Sequence, residues 1–528
     1  MRTPVLIVGG SFVGLSSAVF LTTYGIRPMV IERHPGPGIH PRARGLNPRT
    51  MELFRGAGVE DRIRTGTPPL TGNELLVQAE SLAGKEVRRI ESSTFAGLGT
   101  VSSSDWVSIG QDKAEPILRD VAVERGADIR YRTELLSFTQ DEDGVTAVVL
   151  DRATSTQRIV QAQYMIGADG HQSSVREALG IEVDDLAPTV HALSVLFRAD
   201  LSHALRGREV TMVVALNPAA RFGVLTPVEG DQWMFGIRYD PDKGETPEQF
   251  TDEVWTGLVR AAVGEDDLEV TIDLRDEWEV CSRIARAYQA GRVFLAGDSA
   301  HLMPPAGGFG ANTGAQDAQN LAWKLAMVLH GQASPALLDT YDAERRPAGE
   351  LTVRQSAERT AARQNEEAGE PRLDELTVMF GYCYDSAAVL TGGRSPGPAA
   401  DPRVPSGLPG TRAADIPLLR DGTRLSTMDL FGRGFVLLTT ESGGEWIDAA
   451  KVYAGETGIE LSASTVGPAG SGADLVDVGG RLPDVYGIQG EEAVLIRPDG
   501  FVCWRGSAGE GGPAEQLATV FGRILEGQ

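Results

Sequence analysis

The sequence has few of the residues that carry disulfide or zinc chemistry. Of its 528 residues, three are cysteine and seven are histidine. Cys281, Cys383 and Cys503 are far apart and form no C-x-x-C pair, and the histidines lack the paired spacing of a zinc site. Isolated thiols are typical of a reducing compartment. The composition therefore predicts no metal site and favours a cytoplasmic protein.

Long apolar runs and an excess of positive charge are also missing. Every apolar stretch is interrupted before the length of about 20 residues that a membrane span needs. The first strand is expected to start at about Pro4, which leaves no room for a secretory leader. The formal net charge of −24 opposes binding to a nucleic-acid backbone. We expect no membrane or nucleic-acid partner, and the length predicts about two to four domains.

The start of the chain has the pattern of a strand, a helix and a second strand. Val5 to Gly9 form an apolar strand, and an apolar helical pattern follows to Tyr24, with Gly25 as its C-cap. A second strand, Pro28 to Ile31, ends in Glu32. This unit predicts a parallel sheet that is buried on both faces.

The turn of this unit is an imperfect dinucleotide fingerprint. Gly9 and Gly14 take the outer positions of G-x-G-x-x-G, but Ser11 replaces the middle glycine. Bare backbone amides at a helix start suit phosphates, and Glu32 is placed to bind a ribose hydroxyl pair. The Ser11 hydroxyl could cap the helix or donate to a phosphate. An ordinary strand, turn and helix is the competing interpretation.

A second motif, "IGADG", ends a strand at Asp169-Gly170. A helix capped by Ser173 or Ser174 is expected to follow. Taken alone, an Asp-Gly pair at a strand end indicates no more than a turn.

The third motif is more specific. "FLAGDSAHLMPPAGGFGANTGAQDAQNLAWKLA", Phe294 to Ala326, places the carboxylate of Asp298 at a strand end, where it suits polyol hydroxyls. A proline pair stiffens the following turn, and three glycines free backbone amides ahead of a helix that should begin near Asn312. A flexible glycine-rich loop would leave this ordered spacing unexplained.

Other stretches show the alternation of antiparallel strands. Residues 135–166 predict a meander, and residues 191–239 predict a separate antiparallel sheet. A linker rich in Pro and Gly, residues 392–417, precedes a small α/β segment.

The three motifs in this order resemble the class A flavoprotein monooxygenases, the family of para-hydroxybenzoate hydroxylase and phenol hydroxylase. "PRARGLNPRTMELFRGAG", "GQDKAEPIL" and "LLDTYDAERRP" extend the resemblance over roughly residues 4–385. With its C-terminal segment, the chain is most similar to the FAD-dependent hydroxylases of aromatic polyketides, those that act on anthracycline and angucycline intermediates.

The resemblance implies an α/β fold with three parts. A Rossmann-like FAD-binding domain would cover residues 1–180, with a substrate-domain insertion near 70–105, and return at 286–400 with its helices. An antiparallel-sheet substrate domain would cover residues 181–285. A thioredoxin-like domain would cover residues 401–528; it lacks C-x-x-C, so we expect a structural or oligomer-contact role. Oligomeric state is left open, with a homodimer among the options.

The resemblance also implies which residues contact FAD. The first fingerprint would hold the pyrophosphate, Glu32 the adenosine ribose and Asp298 the ribityl chain, while Asp169 is tied in the family to FAD and to the nicotinamide nucleotide. Surface charge is the competing interpretation for Arg33 and Arg42, and a helix start for Gln111. The implied FAD contacts are Gly9, Ser11, Phe12, Val13, Gly14, Glu32, Arg33, Arg42, Gln111, Asp169, Gly297, Asp298, Pro305, Gly308, Gly310, Ala311 and Asn312.

The implied chemistry belongs to the cofactor. NAD(P)H, bound transiently, would reduce FAD, and O2 would form a C4a-hydroperoxyflavin whose distal oxygen hydroxylates a phenolic ring. The helix start at Gly310 to Asn312 would stabilise the anionic reduced flavin. Neither a metal nor a Ser-His-Asp set is required, and the sequence singles out no base for the phenol. His301, the histidine nearest this loop, is interpreted as structural.

The region 191–239 should wall the substrate cavity. Alternation puts Trp233 and Phe235 on one face and Met234 and Arg238 on the other. Core packing is the competing interpretation for each candidate. The candidate substrate contacts are Phe222, Trp233, Phe235, Arg238 and Tyr239.

Two other functions remain compatible with the motifs. An enzyme on the same scaffold could perform Baeyer–Villiger cleavage or epoxidation, with the same addition of one oxygen. A non-catalytic protein could instead sequester an aromatic ligand, although the intact Asp298 to Asn312 constellation disfavours that alternative.

Overall fold

Three sheets, each with helices against it, make up the fold. The computed structural model describes residues 1–38, 45–66, 75–91, 97–363 and 371–526. The chain divides into two units: one comprises Met1–Pro68, Gly97–Leu186 and Arg283–Gln528, and the other Pro69–Ala96 and Ala187–Ser282. None of the helices within the described ranges is long and apolar enough to cross a membrane.

The strands are numbered in chain order. They are β1 (Arg2–Val8), β2 (Met29–Ile31), β3 (Leu75–Ala79), β4 (Glu86–Glu91), β5 (Asp128–Arg130), β6 (Thr133–Gln140), β7 (Val145–Asp151), β8 (Thr156–Gly167), β9 (Val183–Arg198), β10 (Met212–Ala215), β11 (Val224–Glu229), β12 (Gln232–Arg238), β13 (Thr271–Ala285), β14 (Gln289–Ala290), β15 (Val293–Leu295), β16 (His301–Leu302), β17 (Pro417–Arg420), β18 (Thr423–Ser426), β19 (Phe435–Thr440), β20 (Leu461–Gly467), β21 (Leu475–Asp477), β22 (Ala493–Ile496) and β23 (Val502–Gly506).

The α-helices are numbered in the same way. They are α1 (Phe12–Thr23), α2 (Pro48–Gly56), α3 (Glu60–Thr65), α4 (Leu98–Val101), α5 (Gln111–Glu124), α6 (Ser174–Ala178), α7 (Ser202–Leu205), α8 (Asp252–Val263), α9 (Gly310–Leu329), α10 (Thr340–Arg363), α11 (Glu375–Phe380), α12 (Gly444–Thr457), α13 (Leu482–Tyr486) and α14 (Gly512–Glu526).

The first sheet has the strand order β14-β15-β8-β1-β2-β5. Strands β15, β8, β1, β2 and β5 are parallel to one another, and Val8 pairs with Ile31 on one side and Gly167 on the other. The carboxyl ends of these strands therefore meet at one edge. The predicted meander is confirmed, because β6, β7 and β8 pair antiparallel.

Helix α1 ends at Thr23, one residue earlier than predicted, and its C-cap is Tyr24; Gly25, the predicted C-cap, follows in the left-handed region at φ +78°. Its residues are almost all buried, which agrees with the apolar pattern on every side of the helix. Helix α9, which packs against α1, starts at Gly310, two residues earlier than predicted.

The second sheet has the strand order β16-β13-β9-β12-β11-β10-β3-β4. Strands β9 to β12 are antiparallel to their neighbours as predicted, whereas β3 and β10 pair in parallel. Burial alternates along β12, and the side chains of Trp233, Phe235 and Ile237 are in a core that includes Trp255 of α8. Phe235 meets the Trp255 ring edge-on at a centroid distance of 6.2 Å.

The C-terminal residues form the third sheet, with the order β18-β17-β21-β20-β19-β22-β23. Strand β19, helix α12 and strand β20 form a parallel β-α-β unit, and β22 and β23 are antiparallel. These residues belong to the same compact unit as the first sheet. The reason is a shared core, in which Trp323 and Met327 of α9 pack with Phe435 and Trp446.

Candidate cofactor site

The site is built at the carboxyl edge of the first sheet. The Gly9 amide donates to the Ile31 carbonyl at 2.9 Å, and the Ala296 amide donates to the Gly167 carbonyl at 3.0 Å. The loops after β1, β2, β8 and β15 are thereby held side by side. In an open parallel sheet this edge is where ligands bind.

The glycines of the first loop leave room for nothing but backbone. Gly9 has φ +105°, and a Cβ there would lie 2.1 Å from the Ala168 carbonyl oxygen. A Cβ at Gly10 would lie 2.8 Å from Cβ of Glu32, and one at Gly14 would lie 1.9 Å from the Gly9 oxygen. The chain therefore turns tightly into α1, and the N-terminus of this helix favours an anion.

Ser11 is the N-cap residue of α1 by position, but within the described residues its side chain makes no capping hydrogen bond. Of the two roles that the sequence left open for this hydroxyl, the structure does not support helix capping. Phe12 is buried and Val13 half-buried at the start of the helix.

Glu32 follows β2 and closes the side of this loop. Its Oε2 accepts from the Gly10 amide at 2.7 Å, and its Oε1 accepts from the His34 amide at 2.8 Å. Its carboxylate thus lies against the Gly9–Gly14 loop. Arg33, the next residue, is exposed, and Arg42 is outside the described residues.

Gln111 begins α5 and contacts a carboxylate that sequence reasoning missed. Its Nε2 donates to Oε1 of Glu115 at 2.7 Å, while Oε2 of Glu115 accepts from the Gly38 amide at 2.7 Å. Burial raises the pKa of Glu115, and the nearby charge of Glu32 raises it further. The i, i+4 spacing in "GQDKAEPIL" was the available clue.

Asp169 accepts hydrogen bonds from residues that follow it closely in the chain. It accepts from the hydroxyls of Ser173 at 2.5 Å and Ser174 at 3.2 Å and from the Val175 amide at 3.0 Å. Ser173 is confirmed as the cap of α6, because its hydroxyl accepts from the Arg176 amide. The Asp-Gly motif thus shapes the turn beside Gly9.

Asp298 is exposed in a single 3-10 turn, Gly297–Ser299, directly after β15. Gly297 has φ +64°, and a Cβ there would lie 2.7 Å from Cγ2 of Val13. The close approach brings the Asp298 turn against the start of α1. A carboxylate at that point can accept hydrogen bonds from a polyol beside the phosphate loop.

The glycine-rich loop, residues 304–310, is fixed by hydrogen bonds within the loop and from two helices. The Gly308 amide donates to the Pro305 carbonyl at 3.0 Å, and the Ser356 hydroxyl donates to the Ala306 carbonyl at 2.8 Å. Asn312 is buried, and its Nδ2 donates to the carbonyl oxygens of Gly308 and Gly45 at 2.8 and 3.1 Å. The first turn of α9, with Gly310 and Ala311, therefore has a fixed orientation.

Some of the predicted substrate residues are buried in the structure, and others are exposed. Trp233 and Phe235 are enclosed in the core against α8. Phe222 is exposed, and Arg238 is exposed on the opposite face of β12. Tyr239 is buried, with its hydroxyl donating to Glu277. His301 is buried with its Nε2 at 2.7 Å from Asp317, which agrees with a structural interpretation.

Taken together, the described residues fit a dinucleotide. Any side chain at the glycines of the first loop would clash with neighbouring atoms. The Glu32 carboxylate follows β2, and the Asp298 carboxylate follows β15. Two helix starts, those of α1 and α9, supply positive electrostatic potential to anionic groups.

Comparison with known proteins assigns a family to each of two segments of the chain. The FAD binding domain family matches residues 2–356, and the aromatic-ring hydroxylase C-terminal family matches residues 406–526. Tetracenomycin B2 monooxygenase-dioxygenase of Streptomyces olivaceus is 42% identical over 99% of both proteins. A 4-methyl-5-nitrocatechol 5-monooxygenase of a Burkholderia species is 41% identical over 96% of this chain and 94% of that protein.

A solved structure agrees over the same length. The crystal structure of aklavinone-11 hydroxylase in a ternary complex with FAD and aklavinone superposes with a TM-score of 0.93 at 37% identity. The match covers 99% of each chain.

Proposed function

The chain belongs to the family of FAD-binding aromatic-ring hydroxylases and is an FAD-dependent monooxygenase, and we propose that its substrate is a phenolic, multi-ring aromatic polyketide. The observation that carries this proposal is the full-length similarity to the aklavinone-11 hydroxylase complex, which contains both FAD and aklavinone. The tetracenomycin B2 enzyme, similar over its whole length, supports the same substrate class.

The cofactor is assigned to the edge of the first sheet. The tight turn at Gly9–Gly14 and the N-terminus of α1 would hold the pyrophosphate, Glu32 the adenosine ribose, and Asp298 the ribityl chain. The first turn of α9, with Ala311 and Asn312, would contact the pyrimidine edge of the flavin. When bound, FAD supplies the redox chemistry, because it can be reduced by NAD(P)H and can then activate O2.

The chain's own contribution is electrostatic and geometric. The N-terminus of α9 would stabilise negative charge on a bound reduced flavin, and Asn312 fixes the direction of this helix start through its hydrogen bonds to the Gly308 and Gly45 carbonyls. Amides that are already oriented stabilise charge without reorganisation.

The substrate is assigned to the face of the second sheet opposite α8. Paired strands place Ser194 beside Gly236 and Ala192 beside Arg238 on that face. Thr226, on the next strand, pairs with Met234. Ala192, Ser194 and Thr226 are small and buried on this face, so a flat ring system could lie against the sheet there.

The C-terminal domain has a thioredoxin-like arrangement without redox function, in our proposal. The support is the β19-α12-β20 unit followed by the antiparallel β22 and β23 and by α14. Cys503 is buried within β23, and burial raises the pKa of its thiol. A buried, protonated thiol is unsuited to disulfide exchange.

Substrate screening tests the proposal. Purified enzyme with FAD is given phenolic polyketides and, in parallel, 4-methyl-5-nitrocatechol, and NAD(P)H oxidation is followed. We expect polyketides to stimulate oxidation and to gain one oxygen as a phenol, shown by mass spectrometry and NMR. Stimulation by the single-ring catechol alone would contradict the substrate class, a lactone product would indicate Baeyer–Villiger chemistry, and an unmodified ligand would indicate sequestration.

A further inference from the structure

The motif "LLDTYDAERRP" contains two consecutive buried charges that the cofactor assignment does not use. Glu344 and Arg345 are on α10 and are 1% and 0% exposed. Neighbours on a helix point in different directions, so the two side chains reach different partners. Together they join the carboxyl edge of the first sheet (the cofactor edge) to the C-terminal domain.

Arg345 is directed at the cofactor edge. Its Nε donates to Oδ1 of Asp317 at 2.8 Å, and its Nη2 donates to the Thr313 carbonyl in the first turn of α9 at 3.3 Å. Oδ2 of Asp317 accepts from the Gly297 amide at 3.1 Å, immediately before Asp298. Asp317 and Arg345 thus hold both the Asp298 turn and the start of α9.

The charge on Asp317 is maintained by its partners. Burial alone would raise the pKa of Asp317, but the charges of His301 and Arg345 outweigh burial and hold that pKa below its ordinary value. His301 Nε2 is 2.7 Å from Oδ2 of Asp317. The group therefore remains a carboxylate that can accept from Gly297.

Glu344 is directed at the C-terminal domain. Its two carboxylate oxygens accept from Nη1 and Nη2 of Arg497 at 2.5 and 2.8 Å. Lys324 of α9 also donates to Glu344 at 2.8 Å, and Arg497 pairs in addition with Asp499. All of these side chains are almost completely buried.

Tyr384 connects the two groups of charges. Its hydroxyl accepts from Nη1 of Arg345 at 3.1 Å, and the Arg497 guanidinium stands over its ring at 5.2 Å. Phe501 of the C-terminal domain stacks on the same ring at 4.0 Å. Because an unpaired buried charge is strongly unfavourable, these groups cannot separate independently.

We propose that the C-terminal domain is a positioning element for the flavin half of FAD. Arg497 pairs with Glu344 and stands over the Tyr384 ring. Tyr384 accepts from Arg345, and Arg345 in turn orients Asp317, which accepts from the Gly297 amide before Asp298. This inference rests on the proposed contact of Asp298 with the ribityl chain.

Comparing FAD with ADP tests the proposal, because ADP is the half of FAD assigned to the Gly9–Gly14 loop and Glu32. Apoprotein of Asp317→Asn, Tyr384→Phe and Arg497→Met is titrated with each ligand by calorimetry. We expect Asp317→Asn to raise the dissociation constant of FAD by about tenfold, the scale of a lost hydrogen bond to a charged group, with that of ADP unchanged. Arg497→Met and Tyr384→Phe should have a smaller effect in the same direction.

The control is Glu350→Gln, which breaks a half-buried i, i+4 ion pair with Arg354 on the same helix and should alter neither affinity. Equal weakening of FAD and ADP in the test variants would overturn the proposal, because it would indicate general destabilisation. Unchanged FAD affinity in Arg497→Met and Tyr384→Phe would also overturn it. If Arg497→Met does not fold, Tyr384→Phe, which keeps the ring, decides.

Asp298→Ala is titrated alongside to separate the two levels of the argument. If it weakens ADP as much as FAD, or weakens neither, the ribityl assignment itself is wrong. If it weakens FAD alone while Tyr384→Phe and Arg497→Met bind FAD normally, the assignment stands and the role of the C-terminal domain is refuted.

Discussion

Gly14 on α1 faces the carbonyl oxygen of Gly9 so closely that a Cβ at position 14 would lie 1.9 Å from that oxygen. The two residues are therefore a matched pair, in which the last glycine of the fingerprint allows the helix to approach the loop that starts it. Gly14→Ala is expected to displace this loop and to yield protein without bound FAD or without a folded first sheet.

The FAD content and the thermal unfolding temperature of the purified variant measure this effect. Ser11→Gly is the control, because the Ser11 side chain caps nothing in the described structure, and it should keep FAD bound. A yellow Gly14→Ala protein with normal affinity would contradict the role of the close contact.

Glu32→Ala should weaken FAD by about 1–3 kcal/mol, the scale of a lost charged hydrogen bond. The structure adds a second loss, because Glu32 also accepts from the Gly10 amide at 2.7 Å. Glu32→Gln keeps an acceptor for that amide and should therefore lose less. An unchanged FAD dissociation constant in Glu32→Ala, measured by fluorescence titration, would exclude the ribose assignment.

Asp298→Ala should bind FAD weakly or lose it during purification, since the ribityl hydroxyls would lose their acceptor. Asp298→Asn retains one oxygen acceptor and is expected to bind FAD more tightly than Asp298→Ala. The flavin absorbance of the gel-filtered proteins is the measurement. Full occupancy and full activity in Asp298→Ala would refute this placement of the ribityl chain.

Truncation after residue 405 should prevent folding rather than yield a smaller active enzyme. The cut exposes Trp323 and Met327, which pack in a core shared with the C-terminal domain, and it leaves Glu344 without Arg497. Solubility, circular dichroism and FAD content of the truncated chain test this expectation. A folded, FAD-loaded truncation with full hydroxylation activity would show that the domain is dispensable.

Glu115 should make stability fall as the pH rises through the weakly acidic range. Its folded-state pKa is raised above the ordinary value of 4.5 by burial, so the folded chain keeps a proton that the unfolded chain has released. The contribution is fully present below the ordinary pKa and is lost as the pH passes the raised value.

Glu115→Gln tests this sign, because the amide resembles the protonated acid and does not titrate. Urea unfolding at about pH 5 and about pH 8 should show that the variant gains stability relative to the parent as the pH increases. Parallel pH profiles for the two proteins would contradict a raised pKa at this position.

Much of the local structure could be read from periodicity. The meander of β6 to β8 and the cap of α6 by Ser173 follow from short-range rules and are confirmed, whereas α1 ends one residue earlier than predicted. The start of α9 was predicted two residues late, because no capping side chain marks Gly310. Family and cofactor were predictable because the three glycine-containing motifs occur in the same order as in the class A flavoprotein monooxygenases.

Contacts between distant segments were not predictable in this way. Glu115 and Asp317 look like ordinary helix residues in the sequence, yet each accepts hydrogen bonds from separate loops at the cofactor edge. Alternation did assign Trp233 and Phe235 to one face of β12. It could not decide whether that face meets a ligand or a helix, and the tertiary structure places α8 there.

The sequence by itself indicated the family and the cofactor through its resemblance to flavoprotein monooxygenases. It also predicted the loops of the proposed site, because phosphates and polyols need particular residues at strand ends and helix starts. The tertiary structure alone decided how the C-terminal domain is attached. The pairing of Glu344 with Arg497 joins residues 153 positions apart, and the free energy of burying such charges depends on partners that no local pattern specifies.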